Sequence, residues 1–190
     1  MGTRFNHSAG RAWQNASVLV NCYDERGRFP AVVPDEVQGG ATATRLLLEA
    51  GHRRIAFVND AAPSPASVGR LAGYKAALAQ FDVDFDPSLV LSVTADQEGG
   101  YGAAAQVLAT GATGVFCHND RTALGLYDAL RESGKRVPDD ISVVGFDNQE
   151  VISAHMHPAL TTVGLPQYDL GVMGVRTCCV VAEPTMTNRR

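Results

Sequence analysis

The stretch Gly114–Asn148 decides the fold; it reads GVFCHND RTALGLYDALRES GKRVPDD ISVVGFDN. Two short runs rich in β-branched and aromatic residues, Gly114–Cys117 and Ile141–Phe146, flank a segment with apolar residues at helical spacing. Gly134 is placed to end that helix. This order predicts a strand–helix–strand crossover with parallel strands.

Each of the two predicted strands ends on a polar pair, Asn119-Asp120 and Asp147-Asn148. In an open α/β sheet, ligands bind just beyond the carboxyl ends of the strands. If the two strands are neighbours, the pairs lie about 5 Å apart and offer acceptors and donors to a polar ligand. The first pair has a second interpretation, because Asn119 or Asp120 also suits the cap of the following helix.

Composition and charge are those of an ordinary soluble globular protein: of 190 residues, 45% are hydrophobic and 19% are charged, and the net charge is −4. Because no basic block precedes the terminal Arg189-Arg190, we do not expect this chain to bind nucleic acid directly. The four cysteines fall in no CxxC spacing, which indicates reduced thiols. No apolar run reaches the length of a signal peptide core or a membrane span, so we predict a soluble, cytoplasmic protein without membrane contact.

The order of the predicted elements indicates an α/β fold built on a doubly wound parallel sheet. Strands and helices alternate from residue 35 to residue 148, with Asp35 predicted to cap the first helix and Gly69–Phe81 predicted to form the second. A first strand, Leu19–Asn21, and a last strand, Leu160–Val163, lie outside this run. We expect these two strands to link the sheet to a second lobe.

Five blocks of the chain are distinctive as a set: GHRRIAFV at Gly51–Val58, GRLAGY at Gly69–Tyr74, HNDRTALG at His118–Gly125, VPDDISVVGFDN at Val137–Asn148 and PALTTV at Pro158–Val163. In this order they closely resemble the lactose-repressor (LacI) family of transcriptional regulators, over roughly residues 17–178. A set of five ordered blocks is far more specific than a lone glycine motif.

The resemblance implies a two-lobed, periplasmic-binding-protein-like domain. In this family a small molecule, often a sugar or nucleobase, binds in the cleft and changes the arrangement of the lobes. Family members also carry an N-terminal helix-turn-helix that binds operator DNA, and they tend to form homodimers. Here that head, most of the first lobe and the closing strands are not recognised, so we expect a chain truncated at both ends. Its expected parts are a disordered leader (1–16), a remnant of the first lobe with its crossover (17–34), a complete effector-binding second lobe (35–162), a return strand and helix toward the first lobe (163–182) and a tail (183–190).

By the resemblance, four residues are expected to contact the ligand. Arg70 matches the family's ligand-gripping arginine, and Asn119 and Asp147 match strand-end residues that hydrogen-bond the effector. Asn21 ends the last first-lobe strand, where the family places a cleft-facing polar residue. Ala95 occupies the place where many relatives have a stacking aromatic, which leaves the class of effector open.

The chemistry of these side chains suits a sugar-like polyol. An arginine offers a planar fork of donors, an aspartate accepts from hydroxyls, and an asparagine does either. Such a set selects hydroxyl-rich ligands, because a ligand that lacks a hydroxyl leaves buried polar groups unpaired. Structural interpretations stay open beside this one: Arg70 as a surface residue in the first turn of its helix, Asp147 as a cap after its strand, and Asn21 as an exposed residue.

Two other classes of function are weighed against a regulator. A sugar-binding protein of a transport system shares the fold, but the sequence shows no signal peptide. An enzyme is disfavoured because no nucleophile–base pair or cofactor loop is present, so we expect no catalytic residues and no cofactor. His118, His155 and His157 lack acidic or cysteine partners at fixed spacing, so no metal site is expected. Gly39-Gly40 has no phosphate-loop lysine after it and indicates close packing, or a close approach to another group, instead.

Overall fold

The structure, a computed structural model, describes residues 17–182, which fall into two compact units. The larger unit is Asp35–Leu165, and the smaller one is built from the chain on either side of it. The elements are β1 (Leu19–Val20), β2 (Ala31–Val32), α1 (Glu36–Glu49), β3 (Ile55–Asp60), α2 (Pro65–Gln80), β4 (Val90–Val93), α3 (Gln97–Ala109), β5 (Gly114–Cys117), α4 (Asp120–Glu132), β6 (Ser142–Asp147), α5 (Glu150–Ser153), β7 (Thr161–Gly164) and α6 (Gln167–Ala182).

The larger unit is organised around a five-stranded parallel sheet with the order β4-β3-β5-β6-β7. The strands β5 and β6 are direct neighbours, with Val115 opposite Val143. The chain moves outward from the centre of the sheet in both directions, which is the doubly wound arrangement. The predicted α/β fold class is therefore confirmed.

The two faces of the sheet carry separate apolar cores because side chains alternate along each strand. Ile55 and Phe57 point to the face covered by α1 and α2, whereas Ala56 and Val58 point to the face covered by α3 and α4. On the first face the ring of Phe57 stacks on that of Phe116 with centroids 4.5 Å apart. Both faces of the sheet are thus covered by apolar side chains, and the carboxyl ends of the strands are left for polar groups.

One strand pairing and one helix start differ from those expected from the sequence. The last strand belongs to the sheet: β7 pairs in parallel with β6, with Val144 opposite Thr161, and does not lie outside the βα run. Helix α2 begins at Pro65, four residues before the predicted start at Gly69, because the side chains of Ser64 and Ser67 form a capping box around its first turn. Arg70 consequently lies in the second turn of α2.

The smaller unit contains a two-stranded parallel pair, in which Leu19 lies opposite Ala31 and Val20 opposite Val32, together with α6. Within it, Gly174 of α6 approaches the side chain of Val20 closely. Across residues 17–182, no helix has the length and apolar character needed to cross a membrane.

Candidate ligand-binding site

The carboxyl ends of β5 and β6 bring the two polar pairs of the central stretch to one edge of the sheet. Because the two strands are neighbours, the segment after Cys117 and the segment after Phe146 lie side by side. This is the arrangement on which the sequence-based expectation of a polar site depended. We call this edge, with the first residues of the helices that start there, the carboxyl edge.

Asp147 is the last residue of β6, and its backbone is held in an unusual conformation. Its φ is 101°, and that of Asn148 is 52°, so two consecutive non-glycine residues lie in the left-handed region. Such backbone costs about 1–3 kcal/mol per residue and persists only where the surroundings enforce it. The side chain of Asp147 is 21% exposed, and its Oδ2 accepts from the side-chain amide of Gln149 at 3.2 Å. Burial raises the pKa of the Asp147 carboxyl above its usual range.

Arg70 is buried and reaches the same place from α2. Its Nε donates to Glu36 Oε2 at 2.7 Å, and its guanidinium lies 3.6 Å from the centroid of the Phe146 ring. Its Nη1 donates to the backbone carbonyl of His118, and its Nη2 lies 3.7 Å from Asp147 Oδ1. The side chain is 5% exposed, so the interpretation as a surface residue in the first turn of a helix is wrong.

Glu36 forms a buried charged cluster with Arg70 and Asp147. The sequence did not reveal its part in this cluster. It is the first residue of α1, directly after the cap residue Asp35, and its partner Arg70 is 34 residues away in the chain. A pair at that separation leaves no periodic signal in the sequence. The only available clue was indirect, since an arginine that is buried requires a carboxylate.

The pairing depends on a close approach of α1 and α2. A Cβ on Gly40 would overlap the backbone carbonyl of Arg70, and a Cβ on Gly73 would overlap that of Val37. A Cβ on Gly39 would press into the ring of Phe146. The expectation that Gly39-Gly40 permits close packing is confirmed.

Asn119 is the N-cap of α4. Its Oδ1 accepts from the backbone N–H of Thr122 at 2.8 Å and from the Thr122 hydroxyl at 3.0 Å, and its Nδ2 donates to the carbonyl of Ala95 at 3.0 Å. The capping interpretation is therefore confirmed for Asn119. Its contact with a ligand stays a prediction, in which the second N–H of the amide would be used.

Asp120, which the sequence offered as part of a polar strand-end pair or as a helix cap, has a different role in the structure. It is completely buried, and its two carboxylate oxygens accept from the Thr162 hydroxyl and from the backbone N–H of Gln149, each at 2.6 Å. Burial raises the pKa of this carboxyl, although the two hydrogen bonds oppose the rise. Asp120 thus ties the start of α4 to β7 and to the segment that follows Asp147.

His118 lies just behind the cluster and is buried. Its Nδ1 lies 3.0 Å from Asn59 Oδ1, and burial with the nearby Arg70 charge lowers its pKa to about 3, so the imidazole is neutral. His155 and His157 are exposed, and their rings contact backbone carbonyls. Within residues 17–182, no group of three or more histidine, cysteine, aspartate or glutamate side chains is placed to hold a metal ion.

Asn21, the fourth expected contact, lies in the smaller unit. It follows β1, has a φ of 53°, is exposed, and donates its backbone N–H to the carbonyl of Val32 at 2.8 Å. The structure therefore brings Arg70 and Asp147 together and places Asn119 at the same edge of the sheet. The role of Asn21 stays a prediction.

Known proteins with similar sequences were found for most of the chain. Residues 44–182 match a family described as periplasmic binding protein-like domain. The chain is 35% identical over 156 residues to the HTH-type transcriptional repressor PurR of Vibrio atlanticus, covering 81% of this chain and 46% of that protein. It is 32% identical over 148 residues to the ribose operon repressor of Haemophilus influenzae, covering 77% and 44%.

A solved structure is similar over the same region. A LacI family transcriptional regulator from Enterococcus faecium with bound ribose has a TM-score of 0.77 and 35% sequence identity, covering 85% of this chain and 60% of that one. The chain spans somewhat less than half the length of the two curated relatives.

Proposed function

We propose that this chain, which belongs to the periplasmic binding protein-like family in the form carried by LacI-type regulators, is the effector-binding part of a transcriptional regulator. Its ligand is a small, hydroxyl-rich molecule such as a sugar, bound at the carboxyl edge. The relatives described above are transcriptional regulators and not enzymes, and one of them has ribose bound.

The observation that carries the proposal is the joint placement of Asp147 and Arg70. A carboxylate at the end of β6, on a backbone forced into the left-handed region, lies 3.7 Å from a buried guanidinium. Strained backbone at a strand end is typical of functional sites in proteins. The carboxylate accepts from hydroxyls and the guanidinium donates to them, so one polyol satisfies both.

In this proposal Asp147 accepts two ligand hydroxyls, and Arg70 donates from the edge of its guanidinium that faces Asp147. Asn119 adds a donor from its amide, and the predicted role of Asn21 rests on the resemblance alone. Ala95 offers no ring for stacking, so hydrogen bonds contribute more to selectivity than aromatic contact does.

Ligand binding is transmitted to DNA in the way that the resemblance implies. Ligand binding alters the arrangement of the lobes, and a helix-turn-helix head of the kind named in the relatives contacts operator DNA. Residues 17–182 take no direct part in DNA binding. Such a regulator acts in the cytoplasm, where the DNA is. The expected homodimer rests on the resemblance alone.

A ligand panel tests the proposal, with Asp147→Asn as the informative variant. We expect at least one neutral pentose, hexose or disaccharide to raise the melting temperature in a concentration-dependent way. Asp147→Asn loses charge-assisted hydrogen bonds worth about 1.5–3 kcal/mol, so its affinity for that sugar falls about tenfold to hundredfold. Isothermal titration calorimetry measures both affinities.

The matched control is Asp139→Asn, which removes the same charge from a 58% exposed aspartate paired with Arg136 in the loop before β6. Its affinity for the sugar stays that of the wild type. If Asp147→Asn binds the sugar as tightly as the wild type does, Asp147 is not a ligand contact and the proposed site is wrong.

A further inference from the structure

We propose that Glu36 is a specificity-determining residue that restricts the ligand to an uncharged polyol and excludes sugar phosphates and sugar acids. This inference rests on the proposed function and names the chemical class that the same site accepts. It follows from what Glu36 does to Arg70 and from the charges gathered at the carboxyl edge.

The first step is geometric. Arginine recognises carboxylates and phosphates best with two parallel N–H groups of its planar fork. In this chain one such edge of Arg70 is already occupied, because Nε and Nη2 lie 2.7 Å and 3.4 Å from the two oxygens of Glu36. The Glu36 side chain is only 14% exposed. An incoming anion therefore cannot take that edge without displacing a buried carboxylate of the protein itself.

The second step is electrostatic. The single positive charge of Arg70 faces two carboxylates, those of Glu36 and Asp147, so the cluster carries a net negative charge. His118, directly behind it, is neutral and contributes no cation. An anionic ligand would add a further negative charge to a partly desolvated group of like charges, where repulsion is weakly screened.

The remainder of the carboxyl edge has the same sign. Asp60 ends β3, Asp96 caps α3 and Asp120 begins α4. Arg121, next to Asp120, is a cation at this edge and donates to the Gln149 side chain. The N-termini of α1 and α3 favour anions through their backbone N–H groups. Here, however, Asp35 accepts from Gln38 and Asp96 accepts from Gly99, so protein carboxylates already occupy part of those donors.

A neutral polyol meets none of these obstacles. Each hydroxyl both donates and accepts, so vicinal hydroxyls donate to Asp147 and accept from Nη2 of Arg70, the nitrogen that faces Asp147. The site thus accepts a sugar but not the same sugar carrying a phosphate or carboxylate near this cluster.

The test compares matched pairs that share a hydroxyl pattern and differ in charge. The neutral sugar found in the panel is titrated against its phosphorylated or carboxylated counterpart, with ribose and ribose 5-phosphate or glucose and glucuronate as the first pairs. We expect the wild-type chain to bind the neutral member at least about tenfold more tightly, which corresponds to one unit charge several ångströms away at the effective dielectric of a protein surface. The preference shrinks only slightly as salt is raised from 20 mM to 500 mM, because salt screens partly buried charges much less than exposed ones.

The informative variant is Glu36→Gln, which keeps an oxygen acceptor for Arg70 and removes the charge. The ratio of anion affinity to neutral-sugar affinity rises at least about tenfold, since the cluster loses one negative charge. The control is Glu49→Gln, the same change at an exposed residue at the other end of α1, about 20 Å away, and it leaves the ratio unchanged. Thermal melts confirm that both variants are folded.

Each outcome is decisive. A wild-type chain that binds the anion as tightly as the neutral sugar overturns the inference and leaves the proposed function standing. A folded Glu36→Gln variant with an unchanged ratio removes Glu36 from the account of specificity. Binding of no panel member, neutral or anionic, contradicts the proposed function and the inference with it.

Discussion

Replacing Arg70 with alanine lowers the free energy of unfolding of the larger unit by about 3–5 kcal/mol, the usual cost of removing one partner of a buried ion pair. The side chain is 5% exposed, and its loss leaves Glu36 and Asp147 as neighbouring carboxylates with no cation between them. The ring of Phe146 and the carbonyl of His118 lose their contact with the guanidinium as well. Arg70→Lys recovers only part of the stability, because an ammonium group cannot reproduce the planar fork.

Urea denaturation followed by circular dichroism measures this loss. The control is Arg131→Ala, which removes an arginine that is 74% exposed and paired with Asp128 on the surface of α4. Such pairs contribute about 0–1 kcal/mol, so the control unfolds near the wild-type midpoint. If Arg70→Ala were no less stable than the control, the buried cluster would not hold α1, α2 and β6 together as described.

Replacing Asp120 with alanine removes the acceptor of two short hydrogen bonds inside the protein. The Thr162 hydroxyl and the Gln149 N–H are then left without it, and each bond to a charged acceptor is worth about 1.5–3 kcal/mol before the cost of burying the carboxylate is subtracted. We expect a net loss of about 2–3 kcal/mol. Affinity for the sugar falls as well, because the segment that carries Asp147 is no longer fixed at Gln149.

Hydrogen exchange distinguishes this role from a general loss of stability. In Asp120→Ala the backbone amide of Gln149 exchanges faster than the reduced stability of the protein alone explains. Backbone amides in the centre of β3, in contrast, exchange only through global unfolding. Asp128→Ala, on the exposed side of the same helix, leaves the Gln149 amide protected. A protected Gln149 amide in Asp120→Ala would show that another group fixes the segment after Asp147.

Much of the fold follows from local patterns in the sequence. The crossover from Gly114 to Asn148, the caps at Asp35 and Asn119, and the polar strand ends depend on spacing and capping chemistry within a few residues, and the structure has them. The neighbouring positions of β5 and β6 follow from the crossover rule for parallel strands.

What the sequence did not reveal depends on distant partners. Glu36 looks like any acidic residue in the first turn of a helix until α2 brings Arg70 to it, and Asp120 looks like a cap until β7 brings Thr162 to it. The pairing of β7 was missed for the same reason, because four residues of strand pattern do not specify a partner strand. The start of α2 at Pro65, in contrast, does have a local signal, because Ser64 and Ser67 form a capping box and lie three residues apart in the sequence.

The most direct test of the central claim is an NMR titration of the isotope-labelled chain with the neutral sugar that binds most tightly. If the carboxyl edge is the ligand site, amide shifts concentrate at residues 118–121 and 147–149, with further changes around Arg70. Shifts confined to the opposite edge of the sheet, at residues 110–113 and 134–140, would contradict the account.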